Sequence, residues 1–202
     1  MIAIIDYDAG NIKSLQFALD KLGVESVLTK DPKQIQVANS IIVPGVGAFR
    51  DAIASLNNLG MAEVIKQEAA KGKPVLGICL GMQLFYETSF EDGEWEGLGL
   101  LKGTVNRITD AVKVPHMGWN TLTKHIDNNL FKDIPEDSFV YFVHSYAVGG
   151  NYEKETLVAS SQYGGIIPAI VQKDNVVGIQ FHPEKSGAVG LQLLTNYLEM
   201  IS

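Results

Sequence analysis

Residues 74–83 read Pro74-Val75-Leu76-Gly77-Ile78-Cys79-Leu80-Gly81-Met82-Gln83. The apolar run Pro74–Ile78 has the length and composition of a buried strand, and it leads straight into Cys79. Glycines stand two positions before and two after that cysteine. This is the form of a nucleophile elbow, strand then sharp turn then helix, with Cys in place of Ser. Side chains at the two glycine positions would collide with the strand and the helix. The thiol would stand at a helix N-terminus, where the dipole favours a thiolate. The Leu80 amide would point to where a tetrahedral oxyanion forms. A lone cysteine is more often a small buried hydrophobe; the elbow context is what argues for chemistry.

Upstream of the elbow, strands and helices alternate. Ile2–Asp6 reads as a buried strand ending in the loop signal Asp8-Ala9-Gly10. Asn11 can cap a helix running to Leu22, with Leu15, Leu19 and Leu22 on one face and Gly23 ending it. Glu25–Leu28 and Ser40–Val43 are further strands, and 49–56 and 61–70 are helices. That alternation predicts a parallel sheet with helices on both faces. The texture changes after Glu87. An acidic turn, 91–94, precedes strand-like segments at 103–108, 112–117, 139–144, 156–160, 166–171 and 176–181. Turns at Gly149-Gly150, Gly164-Gly165 and 173–175 suggest antiparallel pairing there. The segment 187–200 returns to helix on Leu191, Leu194 and Leu198. The expected architecture is one α/β domain over 1–202, mostly parallel, with an antiparallel extension.

A nucleophile needs a base. Of the four histidines, His182 has the best context, since Val176–Phe181 is a buried-strand pattern followed by His182-Pro183-Glu184. Pro183 biases His182 toward extended geometry. In an extended chain i and i+2 point the same way, so Glu184 can orient the imidazole and complete a Cys–His–Glu arrangement. Pro44-Gly45-Val46-Gly47 follows another predicted strand, and its glycines let backbone amides approach a ligand. In a doubly wound sheet the strand C-terminal ends share one edge. Pro44, Cys79 and His182 should therefore meet there. His116 is expected to be structural and His125 a surface residue.

The chain has 202 residues and a formal net charge of −7, a balance that argues against nucleic acid or an anionic membrane as the main partner. A composition of 46% hydrophobic and 19% charged residues suits a packed core rather than disorder. One cysteine permits no internal disulfide and no zinc ribbon, and fits a reducing compartment. The apolar start, Met1–Ile5, is too short for a signal-peptide core, and no run spans a bilayer. A cytoplasmic protein is expected. The residues alone also allow an elbow-cysteine peptidase, or a flavodoxin-like binding module in which Cys79 does nothing.

Taken together, 44–47, 77–83 and Phe181-His182-Pro183-Glu184 resemble the class I glutamine amidotransferases in order and spacing, over nearly the whole chain. The resemblance implies Cys79 as nucleophile, His182 as base and acid, and Glu184 as orienter. It implies Gly45, Val46, Gly47, Leu80, Gln83, His144, Ser145 and Tyr146 around the substrate, with no cofactor and no metal. Within the family, 115–120 (Pro-His-Met-Gly-Trp-Asn) and 141–146 (Tyr-Phe-Val-His-Ser-Tyr) resemble the glutaminase subunits of imidazole glycerol phosphate synthases in histidine biosynthesis. Gly10–Ser14 and Glu184–Ser186 agree, and Met82 suits that group; Asp8 and Ala9 are less typical and carry no assigned role. Those segments speak against an anthranilate-type glutaminase, the nearest rival. The resemblance further implies a (β/α)8-barrel cyclase as heterodimer partner, receiving ammonia and switching the glutaminase on. It places Asn11, Lys13, Met117, Trp119, Asn120, Tyr141 and Lys185 at the interface.

Overall fold

The computed structural model describes residues 1–8 and 12–201. Asn11, expected as a helix cap and interface residue, lies outside the described residues, as do Ala9 and Gly10. In chain order the first half runs β1 (Ile2–Ile5), α1 (Ile12–Lys21), β2 (Ser26–Thr29), α2 (Pro32–Val37), β3 (Ser40–Val43), α3 (Phe49–Asn58), α4 (Met61–Ala70), β4 (Val75–Ile78) and α5 (Leu80–Gln83). Next come β5 (Tyr86–Ser89), β6 (Trp95–Glu96), β7 (Leu101–Arg107), β8 (His116–Thr121), β9 (Thr123–Lys124), β10 (Phe139–His144) and β11 (Tyr146–Gly149). The last elements are β12 (Leu157–Gln162), β13 (Ile166–Lys173), β14 (Val176–Ile179) and α6 (Gly187–Met200).

The main sheet has the order β2-β1-β3-β4-β14-β13-β12-β9. It is parallel from β2 to β14 and antiparallel beyond. The expected parallel core and antiparallel extension are both present. Strand period explains how one sheet serves two cores. Ala3, Ile5, Ile41, Val43 and Val75 pack with Ile35, Phe49, Leu56 and Ile65 from α2, α3 and α4. The alternating Ile2, Ile4, Ile42, Leu76 and Ile78 pack with Leu15, Leu19, Leu193 and Tyr197 from α1 and α6 on the opposite face.

Several boundaries differ from expectation. The strand expected over 112–117 begins only at His116. Val112 and Val114 instead pack against the small cluster of Ile108, Ala147 and Ile167, and their turn is held by Ala111 N–H donating to Thr109 Oγ1 and Tyr163 OH donating to the Lys113 carbonyl. Packing, not pairing, uses these β-branched side chains. Helix α2 was not expected, although its signal was present. Asp31 accepts from the Lys33 amide as N-cap, and Pro32 occupies the first helical position. Strands β5 and β6 are too short to show a period. They join β7 and β11 in a separate sheet of order β11-β7-β5-β6, and β8 pairs with β10 alone.

Candidate active site

Three neighbouring parallel strands, β3, β4 and β14, end on one edge of the sheet. Pro44 follows β3, Cys79 follows β4, and His182 lies three residues beyond β14. Cys79 has φ 54° and ψ −110°, a strained turn for a non-glycine residue. The flanking glycines are sterically required. A Cβ on Gly81 would lie 1.8 Å from the Val43 carbonyl oxygen, and one on Gly77 would lie 2.7 Å from the Gly81 carbonyl.

Two sequence expectations about the elbow are corrected. Helix α5 is a single turn of 4 residues, so few peptide dipoles align behind the sulfur, and the macrodipole is correspondingly weak. The chain turns toward β5 because Leu98 N–H and Leu101 N–H bond to the Leu84 and Phe85 carbonyls. Nor is the Leu80 amide free, since it donates to the Gly45 carbonyl at 3.3 Å. The amide expected to serve the oxyanion is occupied by the very segment expected to help form that site.

His182 Nδ1 and Glu184 Oε1 are 2.8 Å apart, with both side chains buried. His182 Nε2 has no hydrogen-bond partner. Burial by itself lowers the imidazole pKa, but the Cys79 sulfur and Glu184 carboxylate outweigh it and push the value up to about 9. Their opposing signs follow from desolvation against nearby negative charge. The thiol itself faces the Val143 carbonyl at 3.9 Å and the Gln180 Nε2 at 3.7 Å.

A cavity of about 310 Å³ opens beside the sulfur, lined by Val46, Gly47, Leu80, Gln83, Ser145 and Tyr146 among others. That volume sits at the lower end for small-molecule sites. Gly45 lies instead in a separate narrow crevice, with His182 and Glu184. His144 borders the cavity but offers no free nitrogen. Its Nδ1 faces the Tyr146 carbonyl at 2.9 Å and its Nε2 faces His116 Nδ1 at 3.0 Å. A carbonyl only accepts, so His144 carries its proton on Nδ1 and His116 donates through Nδ1. His116 Nε2 then accepts from Asn120. Burial holds both imidazoles down to about 4. His116, stacked between Phe142 and Tyr163, fits the structural role expected of it. His125 is exposed and bonds to Ser160 Oγ.

Sequence reasoning passed over several residues that the fold brings here. Glu91, read as part of an acidic turn, is the one carboxylate in the cavity lining. Its Oε2 accepts from the Phe49 amide at 2.7 Å, serving α3, whose N-cap Ala48 has no side chain to do so. Pro115 and Val143 also line the cavity. Tyr7, fully buried, donates its hydroxyl to the Pro44 carbonyl, and burial raises its pKa. Gln180 is fully buried as well. No local pattern distinguishes these from core or loop residues.

Of the interface candidates, Met117 and Trp119 are exposed at 62% and 56%. Trp119 stands opposite Tyr141 in the β8–β10 pair, the rings edge to face at 6.0 Å. Lys13 and Lys185 are exposed, and Asn120 is half-buried. Strand β10 is tied to the sheet edge that carries Cys79 and His182, since the Tyr141 carbonyl accepts from the His182 amide at 3.0 Å.

An α/β sheet with a strained cysteine, a carboxylate-bound histidine and a small cavity defines the class, and the chain belongs to the class I glutamine amidotransferase family, whose model matches residues 3–200. Membership sets aside the peptidase and the binding module. Among curated relatives, the imidazole glycerol phosphate synthase subunit HisH of Oceanobacillus iheyensis is 63% identical over the full length of both chains. The subunit of the same name from Caldanaerobacter subterraneus subsp. tengcongensis is 52% identical, covering 100% of this chain and 98% of that one. Among solved structures, PurLQS from Thermotoga maritima superposes with TM-score 0.78 at 21% identity, covering 100% of this chain and 98% of that one. A crystal structure of a glutamine amidotransferase gives TM-score 0.76 at 18% identity, covering 100% and 99%. At such identities the structures establish the fold alone.

Proposed function

We propose that residues 1–202 act as one glutamine amidotransferase domain, the glutaminase subunit of an imidazole glycerol phosphate synthase in histidine biosynthesis. The observation that carries this is the buried His182–Glu184 pair beside the strained Cys79. With Nδ1 held by Glu184, Nε2 is the ring nitrogen left to take the thiol proton. The thiolate attacks the side-chain amide carbon of glutamine. The imidazolium gives its proton to the departing nitrogen, ammonia leaves, and a glutamyl thioester remains. His182 then takes a proton from water, whose oxygen attacks the thioester and frees glutamate. Glu91 supplies the negative charge that the glutamine ammonium group needs in the cavity.

Ammonia released into water becomes protonated and loses its nucleophilicity. Direct transfer to a synthase partner follows, and the names of the 63% and 52% identical relatives support a cyclase rather than an anthranilate-type partner. The partner is a (β/α)8-barrel that docks on Lys13, Met117, Trp119, Asn120, Tyr141 and Lys185, and the heterodimer works in the cytoplasm. Among the described residues no helix is long and apolar enough to cross a membrane. The His182–Tyr141 backbone bond gives docking a short route to the catalytic edge.

An electrophilic glutamine analogue tests the chemistry. One label is expected, on Cys79, and His182→Ala should slow its addition. Labelling elsewhere, or at an unchanged rate in the variant, overturns the assignment.

A further inference from the structure

We propose that Gln180 is a further catalytic residue, whose carboxamide N–H donates to the Cys79 sulfur and stabilises the thiolate. The inference rests on Cys79 being the nucleophile. In the parallel pair β4–β14, Ile78 stands opposite Ile179, and the Cys79 amide donates to the Ile179 carbonyl at 2.7 Å. The residue that follows each strand, Cys79 after β4 and Gln180 after β14, is therefore at the same level. Gln180 Nε2 lies 3.7 Å from the sulfur.

Which end of the carboxamide faces the sulfur is fixed from a distance. The Tyr146 carbonyl can only accept, and it takes Gln83 Nε2 at 2.8 Å. The second hydrogen of that Nε2 is directed at Gln180, 3.0 Å away. The Gln180 atom there must be an acceptor, hence Oε1, which leaves its NH2 group toward Cys79. With Gln180 fully buried, an inverted amide would set two donors against each other and leave an oxygen against the sulfur. Both are costly at a buried site.

A second hydrogen-bonding neighbour of the sulfur is the Val143 carbonyl at 3.9 Å. It can take the proton of a thiol but opposes a thiolate. Gln180 does the reverse, because an N–H bond to sulfur strengthens when the sulfur is charged. The titratable groups facing the sulfur are His182, from beyond β14, and Tyr7, from beyond β1. Glu184 holds His182 through Nδ1, and His144 lies close enough to His182 to feel its charge.

Because the chain has 1 cysteine, thiol chemistry reports this site alone. The full chain and its Q180L variant are treated with 2-hydroxyethyl disulfide over a range of pH. The thiolate attacks one sulfur, the S–S bond breaks, and mercaptoethanol leaves as its thiolate. Removing one donor to a charged group is expected to change the ionisation equilibrium about tenfold. A more basic thiolate is also more nucleophilic, with an exponent of about 0.5. Q180L should therefore react about threefold slower below the midpoint and about threefold faster above it. Crossing rate curves support the proposal, because a packing or access defect scales the rate alike at every pH. Parallel or coincident curves overturn it. If Q180L does not fold, Q180M fills similar volume with an unbranched chain and carries the same test. Crossing curves without glutamine turnover by the native complex would remove the glutaminase reading and leave the Gln180 role standing. Parallel curves with normal turnover would do the opposite.

Discussion

The Leu80 amide and the Gly45 carbonyl are bonded at 3.3 Å, so the donor proposed for the oxyanion is spent inside the protein. The Gly45 side of this contact is constrained. A Cβ there would meet Leu80 Cβ at 2.9 Å and the Gly81 amide nitrogen at 3.1 Å. The resting chain should therefore be a slow glutaminase. Losing one preorganised oxyanion donor typically costs about 10²–10³ in rate, and docking of the partner should restore much of that. Trp119→Ala or Lys185→Ala should cut the stimulation more than the basal rate, because an effector shifts an equilibrium only through state-dependent contacts. Glutamate release is the measurement. An isolated chain already turning over at the rate of the full complex would sink this account.

Cys79→Ala or Cys79→Ser should abolish glutamine-dependent synthesis while synthesis from added ammonium salts survives. Both are read on the same partner complex. Equal loss of the two would mean that Cys79 supports the partner's structure rather than forming a thioester.

Stability should pass through a maximum with pH. His182 is raised to about 9, so its stabilisation is complete below the unfolded value of about 6.5. It is lost as pH climbs toward 9, where the folded state alone still holds the proton. His116 and His144 are lowered to about 4. Their contribution is complete above about pH 6.5 and lost as pH falls toward 4, with each limb sloping at most about 1.4 kcal/mol per pH unit per histidine. Urea unfolding across this range measures it. Glu184→Gln should move the alkaline limb to lower pH, and an unmoved limb would show that Glu184 does not hold the imidazolium.

Glu91→Gln should raise KM for glutamine by about 10–100-fold with a smaller effect on kcat. The ammonium group is bound alike in ground and transition states, and a charged hydrogen bond contributes about 1.5–3 kcal/mol. Steady-state kinetics of the complex decide it. A fall in kcat at constant KM would instead place Glu91 in the chemistry.

Gly81→Ala should cost at least about 3 kcal/mol in unfolding free energy. The added Cβ would fall 1.8 Å from the Val43 carbonyl oxygen, a backbone atom that cannot step aside alone. Gly23→Ala, with open space around it but φ +72°, should cost only about 1 kcal/mol. Comparable losses at the two sites would remove the elbow's steric argument.

Much of this protein could be read from neighbouring residues. The apolar runs at Ile2–Ile5 and Ser40–Val43, the glycines around Cys79, and the extended His182-Pro183-Glu184 each depend on composition and sterics within a few positions. Those sterics hold in any fold. The crowding of Gly77 against Gly81 is such a case, and so is the 2.8 Å His182–Glu184 contact. By contrast, Gln180 meets Cys79 across 101 positions, Tyr7 meets Pro44 across 37, and His116 meets His144 across 28. Strand order and register alone set these meetings, and a hydrogen bond needs its partner within a few tenths of an ångström. The sequence by itself determined that Cys79, His182 and Glu184 stand in local contexts suited to chemistry. Only the tertiary structure decided that the Leu80 donor rests on Gly45, that His144 has no nitrogen to offer, and that Gln180 turns its amide toward the sulfur. Donor and acceptor supply at a buried point is summed over every strand that reaches it.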